Sequence, residues 1–207
     1  MKKNVLAIVF TVISSLVVFA QEKGIIEFGG NLGLNYSRVS NLDKGITDSR
    51  TAFNIGVSGE YYFSDRWGLK AKIIYDSKGW SNGFIYNEYT SVNTITDFKL
   101  NYITIPVMAN WHFGSTRKWY LNFGPYIGVL TSAKDSKLNT DLKEAFNTTD
   151  FGLAYGIGYK FSVNEKMKMF VEYENQGGVS DIFKNSLNSS VTTNRGAFNL
   201  GVLMLLK

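Results

Sequence analysis

Cysteine is absent from the 207-residue chain. That excludes a structural disulfide, a thiolate metal site, a cysteine nucleophile and a lipidated N-terminal cysteine. There are only two prolines, against 20 glycines and 15% aromatic residues. That balance suits sheet better than helix. His112 is the only histidine, so no histidine cluster can hold a metal, and no cofactor is expected. Charge of one sign is scarce too. The 22 basic and 17 acidic residues give +5, and without Lys2 and Lys3 the balance is 20 against 17, or +3. So weak a basicity gives no ground for a nucleic-acid partner.

Long apolar runs are missing as well, with one exception at the start. Lys2 and Lys3 form a positive segment, and Val5 to Ala20 is almost wholly apolar. Val18-Phe19-Ala20 then places a small residue before Gln21. This is the pattern of a secretory signal peptide. Residues 1–20 are expected to be cleaved and residues 21–207 to form the mature domain. No later stretch approaches the roughly 20 residues of a membrane helix.

What the mature chain does have is alternation. Eight segments repeat with period two, as strands with unlike faces do. The sixth is the clearest. Phe151, Leu153, Tyr155, Ile157, Tyr159 and Phe161 oppose Gly152, Ala154, Gly156, Gly158 and Lys160. In the third, Trp67, Leu69, Ala71, Ile73 and Tyr75 oppose Gly68, Lys70, Lys72 and Asp76, with Ile74 an apolar exception. Upstream of Tyr102 in the fourth the phase reverses, Phe98 and Leu100 being apolar. That predicts a bulge or an extension beyond the membrane.

The second face is rich in glycine, which weakens an exposed strand but fits a crowded barrel interior. Three connections are short (64–66, 114–118, 162–166). Four are long and polar (38–50, 80–97, 134–150, 179–194), and the two kinds alternate. Outer-membrane barrels show this asymmetry of short periplasmic turns and long outer loops. Phe63, Trp67, Trp111, Phe113, Trp119, Tyr159 and Phe161 border the short turns. Tyr36, Phe53, Tyr75, Phe151, Tyr173 and Phe198 lie at the opposite strand ends. Two such girdles mark two membrane interfaces. The expected fold is all-β: an eight-stranded antiparallel up-and-down transmembrane β-barrel, with strands of about 10–13 residues, enough for a tilted crossing.

Such a barrel is just wide enough for side chains to fill. Glu27, Glu60, Lys70, Lys72, Asp76, Lys160, Lys168, Glu172 and Glu174 are the candidates for a lumen network of ion pairs, which argues against an open general porin. Glu172 and Glu174 could instead form an acid/base pair, but the lysines of the same face would neutralise them. His112 and Ser115 are near neighbours without a carboxylate between them, so no triad is established. Asp135, Asp141 and Glu144 share a loop with three lysines and read as solvated charge rather than a calcium site. The second long connection carries Trp80, Phe84, Tyr86 and Tyr89. These are candidates for contact with a ligand or partner; the alternative is strands running beyond the membrane with the rings packed between them.

Phe123-Gly124-Pro125-Tyr126-Ile127-Gly128, continuing to Ser132-Ala133-Lys134, resembles a recurrent strand of the PorT-like outer-membrane β-barrel family of Bacteroidetes. So does Tyr102-Ile103-Thr104-Ile105-Pro106-Val107 before it. Glu172-Tyr173 followed by Gly177, Gly178, Asp181 and Ile182 resembles that family's penultimate strand. The ending Leu205-Leu206-Lys207 departs from the terminal aromatic of many such barrels. The resemblance implies an integral outer-membrane barrel without a common enzymatic activity, and a link to protein secretion through the family's namesake. The expectation is therefore a non-enzymatic, monomeric interaction protein, in contact with outer-membrane lipid and, during biogenesis, with barrel assembly machinery. A protein partner is expected at the loops or the periplasmic face. A secretion component, a lipid-modifying enzyme and a soluble lipocalin-like barrel are the alternatives.

Overall fold

A computed structural model describes residues 23–40, 47–87, 92–185 and 190–206. The expected signal peptide, 1–20, lies outside them, as does Tyr89. The strands are β1 (Ile26–Val39), β2 (Asp48–Tyr62), β3 (Trp67–Asn87), β4 (Val92–Phe113), β5 (Trp119–Asp135), β6 (Thr149–Ser162), β7 (Met167–Gly178) and β8 (Thr193–Leu206). Each pairs antiparallel with the next. β1 also pairs with β8 from Ile26↔Leu206 to Val39↔Thr193, so the sheet closes on itself.

Alternation decides which way each residue points. Leu32, Leu34, Phe53, Phe198 and Leu200 are each 64–70% exposed on the outer wall. The polar partners in the same strands are buried inside. A lipocalin-like barrel has the opposite arrangement, with the apolar face inside, so that alternative falls. Closure also leaves no edge strand to template aggregation.

The short turns are closed by side chains. Ser64 Oγ accepts the N–H of Trp67 at 3.0 Å, and Asn164 Oδ1 accepts those of Lys166 and Met167, both at 2.9 Å. Next to these turns, rings touch in sequence around the wall: Trp67–Trp111, Trp111–Phe113, Phe113–Trp119, Trp119–Tyr159 and Tyr159–Phe161. At the other end Tyr173 meets Phe198 with centroids 4.9 Å apart.

Three features correct the sequence expectation. First, β3 and β4 have 21 and 22 residues, not 10–13. Most of the expected loop at 80–97 is a ribbon extending the hairpin, with pairs from Gly83↔Thr96 to Asn87↔Val92. Second, the phase of β4 does not reverse. Its even-numbered residues point inward throughout, and Phe98 and Leu100 are buried because the lumen itself turns apolar at that height. The bulge is in β5 instead: Asn101↔Ser132 is followed by Tyr102↔Leu130, leaving Thr131 extra, with its hydroxyl on Asn101 O at 2.8 Å. Third, the 134–150 connection contains a 3-10 turn, Lys143–Ala145.

Candidate functional site

The interior is filled in three tiers. Near the short turns, Lys160 Nζ lies 2.6 Å from Glu27 and 2.9 Å from Glu60. Lys168 holds the other oxygen of Glu27, and Tyr62 donates to Glu27 at 2.8 Å. His112 Nε2 is 2.7 Å from Glu60 Oε1, and Asn110 donates to the same oxygen. His112 is fully buried between the rings of Tyr62 and Tyr120. Ser115 is exposed on the turn.

The middle tier centres on Glu172. It receives Lys70 at 2.7 Å, Lys72, Tyr120 at 2.9 Å and Asn122 at 2.9 Å. Lys72 also bonds Glu174. Arg195 joins Glu174 at 2.8 Å to Asp76 at 3.2 Å. Asn35 donates to Asp76, and Asn31, Asn54 and Asn199 form an amide cluster beside it. In the outer tier Lys78 meets Asp150 at 3.0 Å, with Tyr126 and Thr193 donating to the same carboxylate.

These tiers place six buried cations (Lys70, Lys72, Lys78, Lys160, Lys168, Arg195) against six buried carboxylates (Glu27, Glu60, Asp76, Asp150, Glu172, Glu174). Buried charge is costly unless paired and hydrogen-bonded; here every one of these charges has an opposite charge beside it, and only Asp76 Oδ2 and Arg195 Nη2 among their buried atoms lack a hydrogen bond. Glu172 and Glu174 are bound by cations rather than by each other, which leaves no free acid/base pair.

Above the charged tiers an apolar cap closes the outer mouth. Trp80 stacks on Phe98 at 4.5 Å, and Phe146 and Phe183 stack on each other at 4.9 Å, both edge-on to Trp80. Leu100, Leu130, Ile182 and Val191 complete the cluster. The 134–150 and 179–194 segments are tied together there: Asn147 Nδ2 donates to the carbonyls of Asp181 and Phe183, both at 3.0 Å. Of the ring candidates, Trp80 is thus a buried cap residue, 2% exposed. Phe84 is exposed on the ribbon, and the backbone of Tyr86 pairs with Asn93.

Asp135 holds the base of the 134–150 segment. Its oxygens accept the N–H groups of Lys137 at 3.0 Å, Leu138 at 2.6 Å and Thr140 at 2.7 Å. Burial pushes this carboxyl up, but the three amides outweigh burial and hold it below the usual aspartate value. The stabilisation is therefore present above the ordinary aspartate range and is lost as pH falls through the lowered value. Asp135→Asn weakens these bonds by about 1.5 kcal/mol, the low end of the range for charged acceptors. Trypsin cleavage after Lys137 and Lys143 is expected to quicken about tenfold at neutral pH; unchanged cleavage would show that the segment is held by other contacts. Among the described residues, no three acidic or histidine side chains are placed to hold a metal ion together.

Sequence reasoning left out Tyr62, Met108, Tyr120, Tyr126 and Phe170, all buried inside. It also left Lys78 and Asp150 out of the network. Both keep the inward phase of their strands, so extending the alternation by one or two residues would have found them.

Residues 19–184 match the model of a family described as outer membrane protein beta-barrel domain. The chain belongs to this family. Family and fold together make it a small outer-membrane β-barrel, located in the outer membrane. Among solved structures it is similar to neisserial surface protein A, with 16% identity and a TM-score of 0.55 over 88% of this chain and 99% of that one. It is similar to OprG of Pseudomonas aeruginosa, with 13% identity and 0.52 over 90% and 98%. Ail, the attachment invasion locus protein of Yersinia pestis, gives 14% and 0.50 over 89% and 99%. At these identities the likeness is one of fold. No curated protein matches the sequence. In this family's terms, the filled lumen and the capped mouth are the features from which function has to be argued.

Proposed function

We propose that the protein is a non-conducting, non-enzymatic barrel whose work is done at the cell surface, through the β3–β4 ribbon and the capped outer mouth. One observation carries this reading: the lumen is occupied from the periplasmic tier to the cap by mutually neutralising side chains. A solute would have to displace buried ion pairs that are held by several bonds each. The protein reconstituted in a planar bilayer at 1 M salt is expected to give no steady open level. A stable, ohmic conductance would overturn the reading.

The ribbon is the interaction element in this proposal, with Phe84, Tyr86 and Tyr89 its candidate contact residues and a protein or surface ligand its partner. Deleting 82–93 should abolish whatever binding intact cells show; retained binding would shift the role to the cap. The same reading has residues 1–20 removed before Gln21, which N-terminal sequencing of membrane-extracted protein tests. The finer affiliation with PorT-like barrels rests on the neighbouring motifs Tyr102–Val107 and Phe123–Gly128. It requires a complex that survives purification with secretion components.

A further inference from the structure

The lipid-facing wall is not uniformly bulky. Gly30 of β1 and Gly59 of β2 point outward, Gly30 opposite Val57 and Gly59 opposite Phe28, and Ala71 lies opposite Gly59 on β3. These three form the floor of a depression of about 720 Å³ walled by Phe28, Val57, Ile73, Ile105, Val202 and Met204. Lys72 and Ser58 contribute to the floor from strands whose polar side chains are buried in the lumen. The lining that faces lipid is therefore wholly apolar. A second hollow, about 710 Å³, shares Phe28 and Met204 with the first and opens at the periplasmic edge. Asn164, Glu165, Lys166 and Leu205 line it. Its position is fixed, because Leu205 donates to Lys166 O at 2.9 Å and pins the β6–β7 turn to the end of β8.

Two hollows that share a wall, one apolar within the hydrocarbon band and one carrying an exposed lysine at the interface, match the two parts of a phospholipid. We propose that this groove is a specific site for one anionic diacyl phospholipid of the periplasmic leaflet. One acyl chain lies on the Gly30–Gly59–Ala71 floor, and the phosphate meets Lys166. Without side chains on the floor the chain approaches the backbone and gains dispersion contacts that a bulky wall denies it. A lysine at the interface reaches a headgroup while its stem stays on apolar surface. Glu165 is beside it in the turn, so preference for an anionic headgroup depends on Lys166.

Native mass spectrometry of the full chain, released from micelles containing equal phosphatidylglycerol and phosphatidylcholine, tests this. One phosphatidylglycerol is expected to stay bound. Gly59→Leu and Lys166→Gln should each cut the retained fraction about tenfold. Leucine fits at 59 because a Cβ there meets nothing within 4 Å. Ala71→Phe serves as a second groove-filling variant, and the heat-shifted gel band checks that each variant is folded. Equal retention of the two lipids by the unaltered chain, or unchanged retention in any of the folded variants, would overturn the site. So would a dimer that Gly59→Leu converts to monomer, because the groove would then belong to a second copy of the chain.

Discussion

Glu172→Ala is expected to destabilise the barrel by about 3–5 kcal/mol, the cost of leaving buried partner charge unpaired. Four donors from two strands, β3 and β5, converge on this one carboxylate: Lys70, Lys72, Tyr120 and Asn122. Alanine removes them all at once. Lys72 keeps Glu174, but among the described residues Lys70 has no carboxylate other than Glu172 within bonding distance. Equilibrium unfolding in urea, in lipid vesicles, with the heat-shifted band as readout, measures the loss. Lys70→Met combined with Glu172→Met should recover part of it, because an apolar pair carries no orphaned charge. A Glu172→Ala midpoint equal to that of the unaltered chain would mean that water enters the lumen freely and screens the lysines. The proposal of a sealed interior would then fail as well.

Gly29→Val should prevent the compact form altogether, whereas Gly59→Val should be silent. Both glycines sit in strands one residue deep in the wall, yet their surroundings differ. A Cβ on Gly29 would lie 1.9 Å from the carbonyl oxygen of Val202 on β8, whereas one on Gly59 meets nothing within 4 Å. Gly29 faces inward beside the β1–β8 seam, and Gly33, four pairs further on, is crowded in the same way by the carbonyl of Phe198 and by Asn199. Inward seam residues such as Glu27, Asn31 and Asn35 do carry side chains, but at Gly29 and Gly33 the neighbouring strand approaches so closely that only glycine fits. Refolding yield into detergent, read as the fraction of faster-migrating unboiled band, separates the two. Gly29→Val refolding like the unaltered chain would show that the seam can widen to admit a side chain.

The sequence could be read where polarity and phase agreed. Phe151 to Phe161 and Gly152 to Lys160 announce both faces of β6, and the three short turns are visible as polar breaks. It could not be read where an inward residue was apolar. Phe98 and Leu100 look like exceptions to a polar lumen because the outer third of this lumen is packed like a soluble core, whereas Ile74 is a buried apolar residue within the charged middle tier, between Lys72 and Asp76. Tyr62, Tyr120 and Tyr126 were lost among the aromatics for a related reason. Tyrosine serves equally well as an interfacial ring and as an interior donor to a carboxylate. The Trp80–Asp97 segment reads as loop because polar Ser81, Asn82 and Asn87 break its pattern. A two-residue irregularity at Trp80/Gly83, with Asn82 at φ 57°, carries the hairpin past that break. Which carboxylate meets which lysine was beyond the sequence entirely, since it depends on register and on which strands face each other across the barrel.

The ion pairs of the lumen also bear on how the chain enters the membrane. Lys160 of β6 is matched by Glu27 and Glu60 of β1 and β2, and Lys70 and Lys72 of β3 by Glu172 and Glu174 of β7. Each partner lies far away in the chain and on a different hairpin. Arg195 of β8 does find Glu174 within the β7–β8 hairpin, but the lumen lysines find their carboxylates only on other hairpins, so a half-built sheet would present bare ammonium groups to hydrocarbon. The inner wiring penalises every partial insertion, so the eight strands have to cross the bilayer as a single event, or be shielded by other proteins until the last seam is made.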